Sequence, residues 1–414
     1  MIRILDSKDA QPLITRKTQC LSEAERVVAP ILDDVRVRGD AALADYGRKF
    51  DGLEGRELGV PAEDCEAAWA ALSPALISAF HIAARNIREY AETQLPKENW
   101  IAYPDGRRLG QIVRPLDSMG AYIPSGRYPL PSTLLMTTIP AQVAGVKIIC
   151  VASPRPSAEI LGGCAFLKLT NLFRVGGAQA IAAFAFGTDT VPKVDRIVGP
   201  GNIYVAAAKK LLAGEVGIDF VAGPTEIVII ATEANQAFVA ADMLAQAEHD
   251  TEASSILLTT SRALAAAVAE EIERQLETLP TAAVARAAIQ GNSAIILVRS
   301  MDEAVEFSNR LAPEHLALHD PSLLPGIRHA GSVFLGANSP EAAGDYVSGP
   351  NHVLPTSGAA RIRGGLSAAD FVKIISVQEL SPDGLCRLTP AIASLARAEG
   401  LEAHARSAEV RTRA

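Results

Sequence analysis

The sequence is poor in cysteine, has no excess of positive charge and contains no long apolar run, and each deficit excludes a class of protein. The five cysteines form no Cys-x-x-Cys pair, so we expect neither a disulfide framework nor a cysteine zinc site. A net charge of −8 argues against a general nucleic-acid binder. No run is long enough to span a bilayer, and the N-terminus lacks a signal-peptide pattern. We expect a cytoplasmic protein that acts on small molecules, without nucleic-acid or membrane partners.

Short apolar segments alternate with alanine-rich helical segments from about Gly110 onward, which predicts an α/β fold with parallel sheets and crossover helices. The predicted strands lie within residues 147–153, 172–177, 195–201, 226–232, 254–260, 293–299 and 332–336. Residues 1–20 are predicted to form an extended arm, and a capping box predicts that a helix begins at Ser22. After about Gly365 the strand pattern stops, so we predict a helical tail.

The standard nucleotide-binding fingerprints are missing from the sequence. No Gly-x-Gly-x-x-Gly segment follows a predicted strand, and no P-loop motif is present. Three turns that are weaker signals of nucleotide binding remain, at 119–126, 175–180 and 198–204. Each could bring the backbone close to a phosphate or ribose. Taken singly, each is more often an ordinary turn.

The segment AQAEHD places an amide and an imidazole near the end of a helical run. Gln246 and His249 lie three residues apart, so on a helix they share one face. Taken alone, such a pair is more often a solvated helix end. With Asp345 from a loop-like segment and His404 from the tail, the pair would supply two imidazoles, a carboxylate and an amide oxygen. This donor set suits zinc, although sequence spacing does not show that the four residues converge.

Two further groups carry acid and imidazole side chains. Glu314 and His315 follow a proline that ends a helix, and they fall at the end of a predicted strand, where α/β enzymes often place catalytic groups. Neighbouring residues on an extended segment point to opposite sides, so we expect the two side chains to diverge. His352 lies in the same loop-like segment as Asp345, which favours a functional role.

Eight segments together resemble the histidinol dehydrogenase family, in the order MGAYIPSG, VGGAQAIAAFAFGT, VGPGN, AGPTE, AQAEHD, APEHL, GDYVSGPNHVLPT and EGLEAH. The resemblance extends from about residue 20 to residue 411. It implies an NAD-dependent oxidoreductase that converts L-histidinol through L-histidinal to L-histidine, the last step of histidine biosynthesis. Two NAD molecules and one zinc ion per subunit are implied as cofactors.

The resemblance also implies roles for residues of this sequence. Metal ligands would be Gln246, His249, Asp345 and His404. Glu314 and His315 would be the catalytic acid/base pair. Substrate contacts would be Thr225, His352, Glu399, His315 and the four metal ligands. NAD contacts would be Tyr122, Gln179 and Asn202. Thr225 stands where we expect serine in many members, and it keeps the hydroxyl while adding a methyl group.

The implied fold has two incomplete Rossmann-like domains with helical terminal segments, in an intertwined homodimer with shared active sites. After the arm at 1–20, residues 21–119 and 226–366 would form a first domain that carries the metal and catalytic residues. Residues 120–225 would form a second domain with the NAD-binding turns. The tail, 367–414, would reach the active site of the partner subunit.

Three other interpretations remain open from the sequence. A zinc hydrolase could use the same ligands with Glu314 activating water, and its turnover would not need NAD. A non-catalytic ligand-binding protein of the same fold is disfavoured, because base, acid and ligands are all intact. A paralogue that oxidises another polar alcohol would be distinguished only by a panel of substrates.

Overall fold

The computed structural model describes residues 1–10, 13, 21–54, 57–126 and 128–412. Its strands form a six-stranded parallel sheet, a five-stranded parallel sheet and a three-stranded antiparallel sheet. The predicted α/β class with two parallel sheets is therefore confirmed. The part of the predicted arm at residues 11, 12 and 14–20 lies outside the described residues.

The six-stranded sheet is buried between two layers of helices. Its strands are, in spatial order, Arg3–Asp6, Ala294–Leu297, Ser254–Thr259, Glu226–Ile230, His315–Leu318 and Ser332–Leu335. Ile227 and Ile229 pack into the core on one face, whereas Val228 and Ile230 pack into the core on the other. Because successive residues of a strand face opposite sides, a run of aliphatic residues suits a strand covered on both faces.

The five-stranded sheet contributes residues to two further hydrophobic cores. Its strands are, in spatial order, Asn171–Phe173, Ile148–Ala152, Ser118–Tyr122, Arg196–Val198 and Gly217–Ile218. The seven strands predicted from apolar runs are all present in the two parallel sheets, within a few residues of the expected bounds. The strand Ser118–Tyr122, at the centre of this sheet, was not predicted because its sequence reads as the start of a turn.

Helices cover both parallel sheets and form the C-terminus. The α-helices of the described residues are Ser22–Arg38, Asp40–Tyr46, Ala62–Ala71, Pro74–Thr93, Pro131–Ala144, Ala158–Phe166, Gly177–Phe186, Ile203–Leu212, Gln236–Ala247, Arg262–Leu276, Ala282–Gly291, Met301–Leu311, Glu341–Tyr346, Pro382–Ala398 and Glu402–Thr412. The helix Ser22–Arg38 begins at Ser22 as predicted, but the capping position is Leu21 and no side chain caps it, so the predicted capping box is wrong.

The helices between residues 22 and 93 pack on the helices that cover the five-stranded sheet. Val28 and Leu43 share a core with Phe184, and Phe80 shares a core with Leu134. Helical periodicity identifies a buried face but not the sheet that the face covers. The division of the chain into domains, with residues 21–119 in the first, therefore stays a prediction.

The predicted all-helical tail is wrong in its first part. Val372–Leu380 is a strand that pairs antiparallel with Arg107–Pro115, which in turn pairs with Asn99–Ala102. Ile374 and Ile375 are both largely exposed, so the segment shows no single apolar face. Its partner lies far away in the sequence, and such a non-local pairing leaves no trace in local periodicity.

By length and apolar composition, no single helix of the described residues could cross a membrane. Ala62–Ala71 and Pro74–Thr93 pass that test only as a pair, and they are bent by 112° relative to each other.

Candidate active site

A cavity of about 190 Å³ lies where the two parallel sheets meet. Thr225 and Glu314 reach it from the amino ends of adjacent strands in the six-stranded sheet, and Pro200 follows a strand of the five-stranded sheet. The cavity is therefore bounded by the amino edge of one sheet and the carboxyl edge of the other. Ligand sites in α/β sheets usually form at carboxyl ends, so the position of Glu314 and His315 at an amino end is unusual.

Thr225 links two of the predicted site residues. Its hydroxyl donates to Glu314 Oε2 at 2.5 Å and accepts from Gln246 Nε2 at 2.5 Å. The same Glu314 oxygen also accepts from the backbone N–H of Glu226 at 2.9 Å. Burial raises the pKa of Glu314, and these donors together with the neighbouring His315 oppose that rise. The carboxyl group is thus held at a fixed position in the cavity wall.

His315 lies beside Glu314 rather than on the opposite side of the chain, so the predicted divergence is wrong. His315 Nδ1 is 3.8 Å from Glu314 Oε2, and both residues line the cavity. Glu314 precedes the strand, where the backbone is not yet held to the alternation of a regular strand. Burial alone would lower the pKa of His315, but Glu314, Asp345 and Glu341 outweigh it and raise the pKa to about 10.

Asp345 faces three histidines at the same cavity. Its carboxylate is 3.5 Å from His315 Nε2 and 3.9 Å from His249 Nε2, which is too long for ordinary hydrogen bonds. Its backbone carbonyl accepts from His352 Nδ1 at 2.7 Å. With Nδ1 protonated, His352 Nε2 can accept from Thr133, whose hydroxyl lies 3.1 Å away. Burial lowers the pKa of His352, which favours the neutral ring.

A predicted metal ligand whose donor atom has no hydrogen-bond partner is consistent with a metal ion at that position. Gln246 is fully buried, and its Oε1 has no hydrogen-bond partner among the described residues. A buried amide oxygen without a donor is costly, and a cation is one group that would satisfy it. Among the described residues no three His, Cys, Asp or Glu side chains form a metal-binding cluster.

The helix that carries Gln246 ends earlier than the sequence suggested. It spans Gln236–Ala247, so His249 follows the helix instead of belonging to it. The backbone nevertheless forms a turn here, since the His249 N–H donates to the Gln246 carbonyl at 3.4 Å. The expected juxtaposition of the two side chains on one face therefore depends on the turn after the helix.

Glu399 and His404 do not reach this cavity within one chain. Glu399 ends the helix Pro382–Ala398, His404 lies on the helix Glu402–Thr412, and both residues are exposed. The two helices pack mainly on each other. Neither residue belongs to the lining of the cavity.

Tyr122 and Gln179 meet at the carboxyl edge of the five-stranded sheet. Both are buried, and Tyr122 Oη accepts from the backbone N–H of Gly177 at 3.1 Å. Gln179 Nε2 donates to Asp51 Oδ2 at 3.1 Å. Burial raises the pKa of Tyr122 to about 12, so the phenol stays protonated at neutral pH. The residues predicted to contact a cofactor are thus held by contacts within the chain.

Asn202 occupies a neighbouring turn and is exposed. Its Oδ1 caps the helix Ile203–Leu212 by accepting from the backbone N–H groups of Tyr204 and Val205. Its side-chain oxygen is therefore engaged locally, which leaves the amide nitrogen as the group available to a ligand.

A buried ion pair holds the turn before Asn202. The Gly199 N–H donates to Asp219 Oδ2 at 2.8 Å, and the Gly199 carbonyl accepts from Lys209 Nζ at 3.0 Å. Lys209 and Asp219 also contact each other directly and are almost fully buried. Gly199 has φ 113°, and a Cβ there would lie 2.2 Å from the Tyr122 carbonyl oxygen, so the turn requires glycine.

Sequence reasoning missed two carboxyl groups near the cavity, of which Glu341 is buried and Asp242 is half-buried. Glu341 is 2% exposed, and neither of its carboxyl oxygens has a partner among the described residues. Burial raises its pKa well above the usual range, and nearby Asp345 and Asp242 add to the rise. Burial also raises the pKa of Asp242 to about 6. The spacing of four between Glu341 and Asp345 on one short helix was the signal that could have revealed the first of them.

No cysteine described by the structure lines the cavity. Cys65 and Cys164 are buried on helices and Cys150 is buried on the strand Ile148–Ala152, and burial raises the pKa of each thiol. A protonated thiol is a poor nucleophile, so these three have no part in chemistry at the cavity.

Comparison with known proteins identifies the family. The histidinol dehydrogenase family profile matches residues 14–412. The chain belongs to the histidinol dehydrogenase family. It is 49% identical to histidinol dehydrogenase of Geobacillus kaustophilus over 94% of each chain, and 45% identical to that of Rhizobium meliloti over 98% of this chain and 95% of the relative. The family resemblance inferred from the sequence is confirmed, and with it the expectation of an oxidoreductase.

A solved member of the histidinol dehydrogenase family has the same fold. The crystal structure of histidinol dehydrogenase from Elizabethkingia anophelis superposes with a TM-score of 0.96 at 38% identity, covering 100% of this chain and 98% of that chain. The overall fold is therefore shared along nearly the whole length of both proteins.

Proposed function

We propose that the protein oxidises L-histidinol through L-histidinal to L-histidine, with two NAD molecules and one zinc ion per subunit. The supporting observation is the cavity itself, where Glu314 and His315 meet Gln246, His249 and Asp345 at the junction of the two sheets. Membership of the histidinol dehydrogenase family supports the choice of substrate. This reaction would complete histidine biosynthesis.

His315 is proposed as the base of the alcohol oxidation. A hydride leaves the alcohol carbon more readily once the hydroxyl proton has been removed, and an imidazole is suited to removing it. His315 must be neutral to act, yet Glu314, Asp345 and Glu341 hold its pKa near 10 in the chain alone. Engaging Asp345 with a cation would weaken one of these partners, so His315 should become a competent base only in the metal-loaded protein.

Glu314 is proposed to activate water for the second oxidation. The aldehyde must be hydrated before a second hydride can leave, and Glu314 is fixed by Thr225 and the Glu226 N–H beside His315. Burial raises the pKa of Glu314, which strengthens it as a base. The absence of a described cysteine at the cavity favours direct attack by water over a thiohemiacetal route.

Zinc is proposed to be held by Gln246, His249, Asp345 and His404. When bound, zinc would orient the imidazole and amino nitrogens of the substrate more than it would act as a Lewis acid. Gln246 Oε1 has no hydrogen-bond partner within the described part of the chain, which supports its assignment as a ligand. Thr225, His352 and Glu399 are proposed to contact the substrate, together with His315 and the metal ligands.

NAD is proposed to lie along the carboxyl edge of the five-stranded sheet, where it would accept the hydride. Tyr122, Gln179 and Asn202 lie at turns along this edge, and Pro200 connects the edge to the cavity. No Gly-x-Gly-x-x-Gly turn is present, so we expect loose binding of the dinucleotide by scattered contacts.

A homodimer with shared active sites is proposed because the site is incomplete within one chain. Glu399 and His404 lie on exposed C-terminal helices that make few contacts with the rest of their own chain. Leu395 and Val410 on the same helices are 68% and 61% exposed, which is unusual for large apolar side chains on a packed helix pair. A partner subunit that accepts these helices would bury both residues and receive His404 as a fourth ligand.

The test is an assay of purified protein with L-histidinol and NAD, following NADH absorbance with and without a chelator. We expect two NADH per histidinol consumed, loss of the signal on chelation and recovery with zinc. No NADH from sound, metal-loaded protein would reject the named activity in favour of a paralogue that oxidises another alcohol. One NADH per substrate with release of aldehyde would remove Glu314 from its proposed role.

A further inference from the structure

A second cavity lies farther along the carboxyl edge of the five-stranded sheet. It measures about 140 Å³ and is bounded by Asp51, Arg155 and Arg174 among others. Arg155 follows the strand Ile148–Ala152 and Arg174 follows the strand Asn171–Phe173, so both come from the edge where α/β sheets bind ligands. None of these charged residues has a role in the chemistry proposed above.

Asp51 is anchored by the glycine turn that follows the second of these strands. It is 9% exposed, and its Oδ2 accepts from the Gly176 N–H and from Gln179 Nε2, both at 3.1 Å. A Cβ on Gly176 would lie 2.6 Å from Asp51 Oδ1, so glycine is needed for this close approach. The carboxylate therefore has a fixed position at the start of the helix Gly177–Phe186.

This arrangement prevents the turn from acting as a phosphate cradle. The backbone N–H of Gly176 donates to the Asp51 carboxylate, and the backbone N–H of Gly177 donates to the Tyr122 hydroxyl. A helix N-terminus normally attracts a phosphate through such free N–H groups. Here the chain supplies its own anion, and a second anion would be repelled. A neutral hydroxyl can still donate to the carboxylate.

The two arginines at this cavity differ in how they are held. Arg174 is engaged, since it donates to the Gly59 carbonyl at 3.0 Å and contacts Asp64 at 3.2 Å. Arg155 is exposed, and among the described residues no hydrogen bond or ion pair holds its guanidinium. Burial raises the pKa of Asp51, and the hydrogen bonds from Gly176 and Gln179 together with the charge of nearby Arg155 oppose that rise. In dinucleotide enzymes an acid that follows the glycine-rich turn by about 20 residues binds the ribose 2′-hydroxyl, and an arginine accommodates a 2′-phosphate. Here the acid comes from the segment Gly47–Asp51, which precedes the sheet in the sequence.

We propose that Asp51 and Arg155 form the subsite for the adenosine ribose of the dinucleotide, and that Asp51 selects a 2′-hydroxyl over a 2′-phosphate. The subsite rests on the proposed NAD-dependent function and names the residue that would restrict that function to NAD. Three strand spacings, roughly 14 Å, separate the turn of Asn202 from the turn of Gly176, which suits a dinucleotide lying along the edge. Its nicotinamide end would then reach Pro200 and the catalytic cavity.

The experiment compares cofactor use by the wild-type protein and Asp51→Asn, with L-histidinol as substrate. Asparagine retains an acceptor for the Gly176 N–H but removes the charge. We expect the ratio of kcat/KM with NADP to kcat/KM with NAD to rise by about tenfold or more. Adding Arg155→Ala to Asp51→Asn should abolish most of that rise, because the 2′-phosphate would lose its cationic partner. Glu159→Gln is the matched control, since it removes one carboxylate charge from the nearby helix Ala158–Phe166 without touching the turn.

Binding of adenosine 5′-monophosphate and adenosine 2′,5′-bisphosphate, measured by calorimetry, gives a readout that does not need turnover. Asp51→Asn should tighten the bisphosphate relative to the monophosphate. An unchanged preference in both assays, with an active wild-type protein, overturns the subsite. An equal rise in Glu159→Gln overturns it too, because the effect would then come from net charge. A wild-type protein that binds the monophosphate but does not oxidise histidinol would reject the proposed function while leaving the subsite standing.

Discussion

Thr225 connects Gln246 and Glu314 through one hydroxyl, so its replacement tests the site at the smallest scale. Thr225→Val keeps the shape of the side chain but leaves the amide and the carboxyl without their shared partner. We expect kcat/KM for histidinol to fall roughly 10–100-fold, because a base and a ligand lose their orientation. Steady-state kinetics measure the loss.

Thr225→Ser is the matched control for this prediction. Serine keeps the hydroxyl, so activity should stay close to that of the wild type. If the valine variant were as active as the serine variant, the hydroxyl would have no role in positioning Glu314.

Asp242 gives a prediction about stability and pH. Burial raises its pKa to about 6 in the folded protein, above the usual value of 3.8. The folded state therefore binds the proton more tightly, and the stability gained from protonation is lost as the pH rises from about 4 through 6. Asp242→Asn removes the ionised form, so we expect a gain of about 1–2 kcal/mol in unfolding free energy at pH 7.5, absent near pH 4.

Urea unfolding at the two pH values measures this difference. Asp33→Asn, on the exposed face of the helix Ser22–Arg38, is the control and should show no such pH-dependent gain. A gain that is equal at both pH values would show that the carboxyl group is not the cause.

At the scale of single residues, some site residues could be predicted from the sequence and others could not. Glu314, His315 and Asp345 could be predicted because each stands in a recognisable motif, and the structure brings them to one cavity. Asp51 could not be predicted, since nothing in its local sequence connects it to Gly176 across the fold. Contacts between distant segments depend on packing, which motifs do not encode.

The turn at Gly199 depends on two side chains that lie outside it in the sequence. Lys209 and Asp219 hold both peptide groups of Gly199 from within the core. Lys209→Met would leave Asp219 buried and unpaired, so we expect the unfolding free energy to fall by about 3–5 kcal/mol. Thermal or urea unfolding measures the loss.

The double variant Lys209→Met with Asp219→Asn distinguishes charge burial from the hydrogen bonds of the turn. It removes the unpaired charge while keeping an acceptor for the Gly199 N–H, so much of the lost stability should return. A double variant no more stable than Lys209→Met would mean that the Gly199 carbonyl bond, rather than the ion pair, supplies the stability.

The elements differ in how well their sequence predicted them. Strands such as Ser254–Thr259 are buried on both faces, and their continuous apolar runs were predicted correctly. Val372–Leu380 is mostly exposed and takes its conformation from Arg107–Pro115, so its own sequence carried too little information. Strand formation at a sheet edge depends on the partner more than on propensity.

For the whole molecule, the proposed dimer predicts complementation between two inactive variants. His404→Ala and His249→Ala would each destroy every site of their own homodimer. After mixing, unfolding and refolding together, half of the dimers should be mixed, and each would contain one intact site if His404 acts across the interface. We therefore expect about one quarter of wild-type activity.

Refolding each variant alone is the control and should give no activity. If His404 acted within its own chain, a mixed dimer would still have a defect in each site, and the mixture would remain inactive. Size-exclusion chromatography shows whether dimers have formed in every sample.

The opposite orientation of the two sheets at the cavity has a practical consequence. Because the six-stranded sheet contributes its amino edge, the loops that leave the carboxyl ends of Glu226–Ile230 and Ser254–Thr259 point away from the chemistry. Thr232 and Glu233, in the first of these loops, are exposed. A short epitope tag or a fluorescent label placed there would leave the catalytic cavity untouched. In most α/β enzymes the same position would interfere with catalysis, so this fold leaves free for labelling the loops that those enzymes use for ligands.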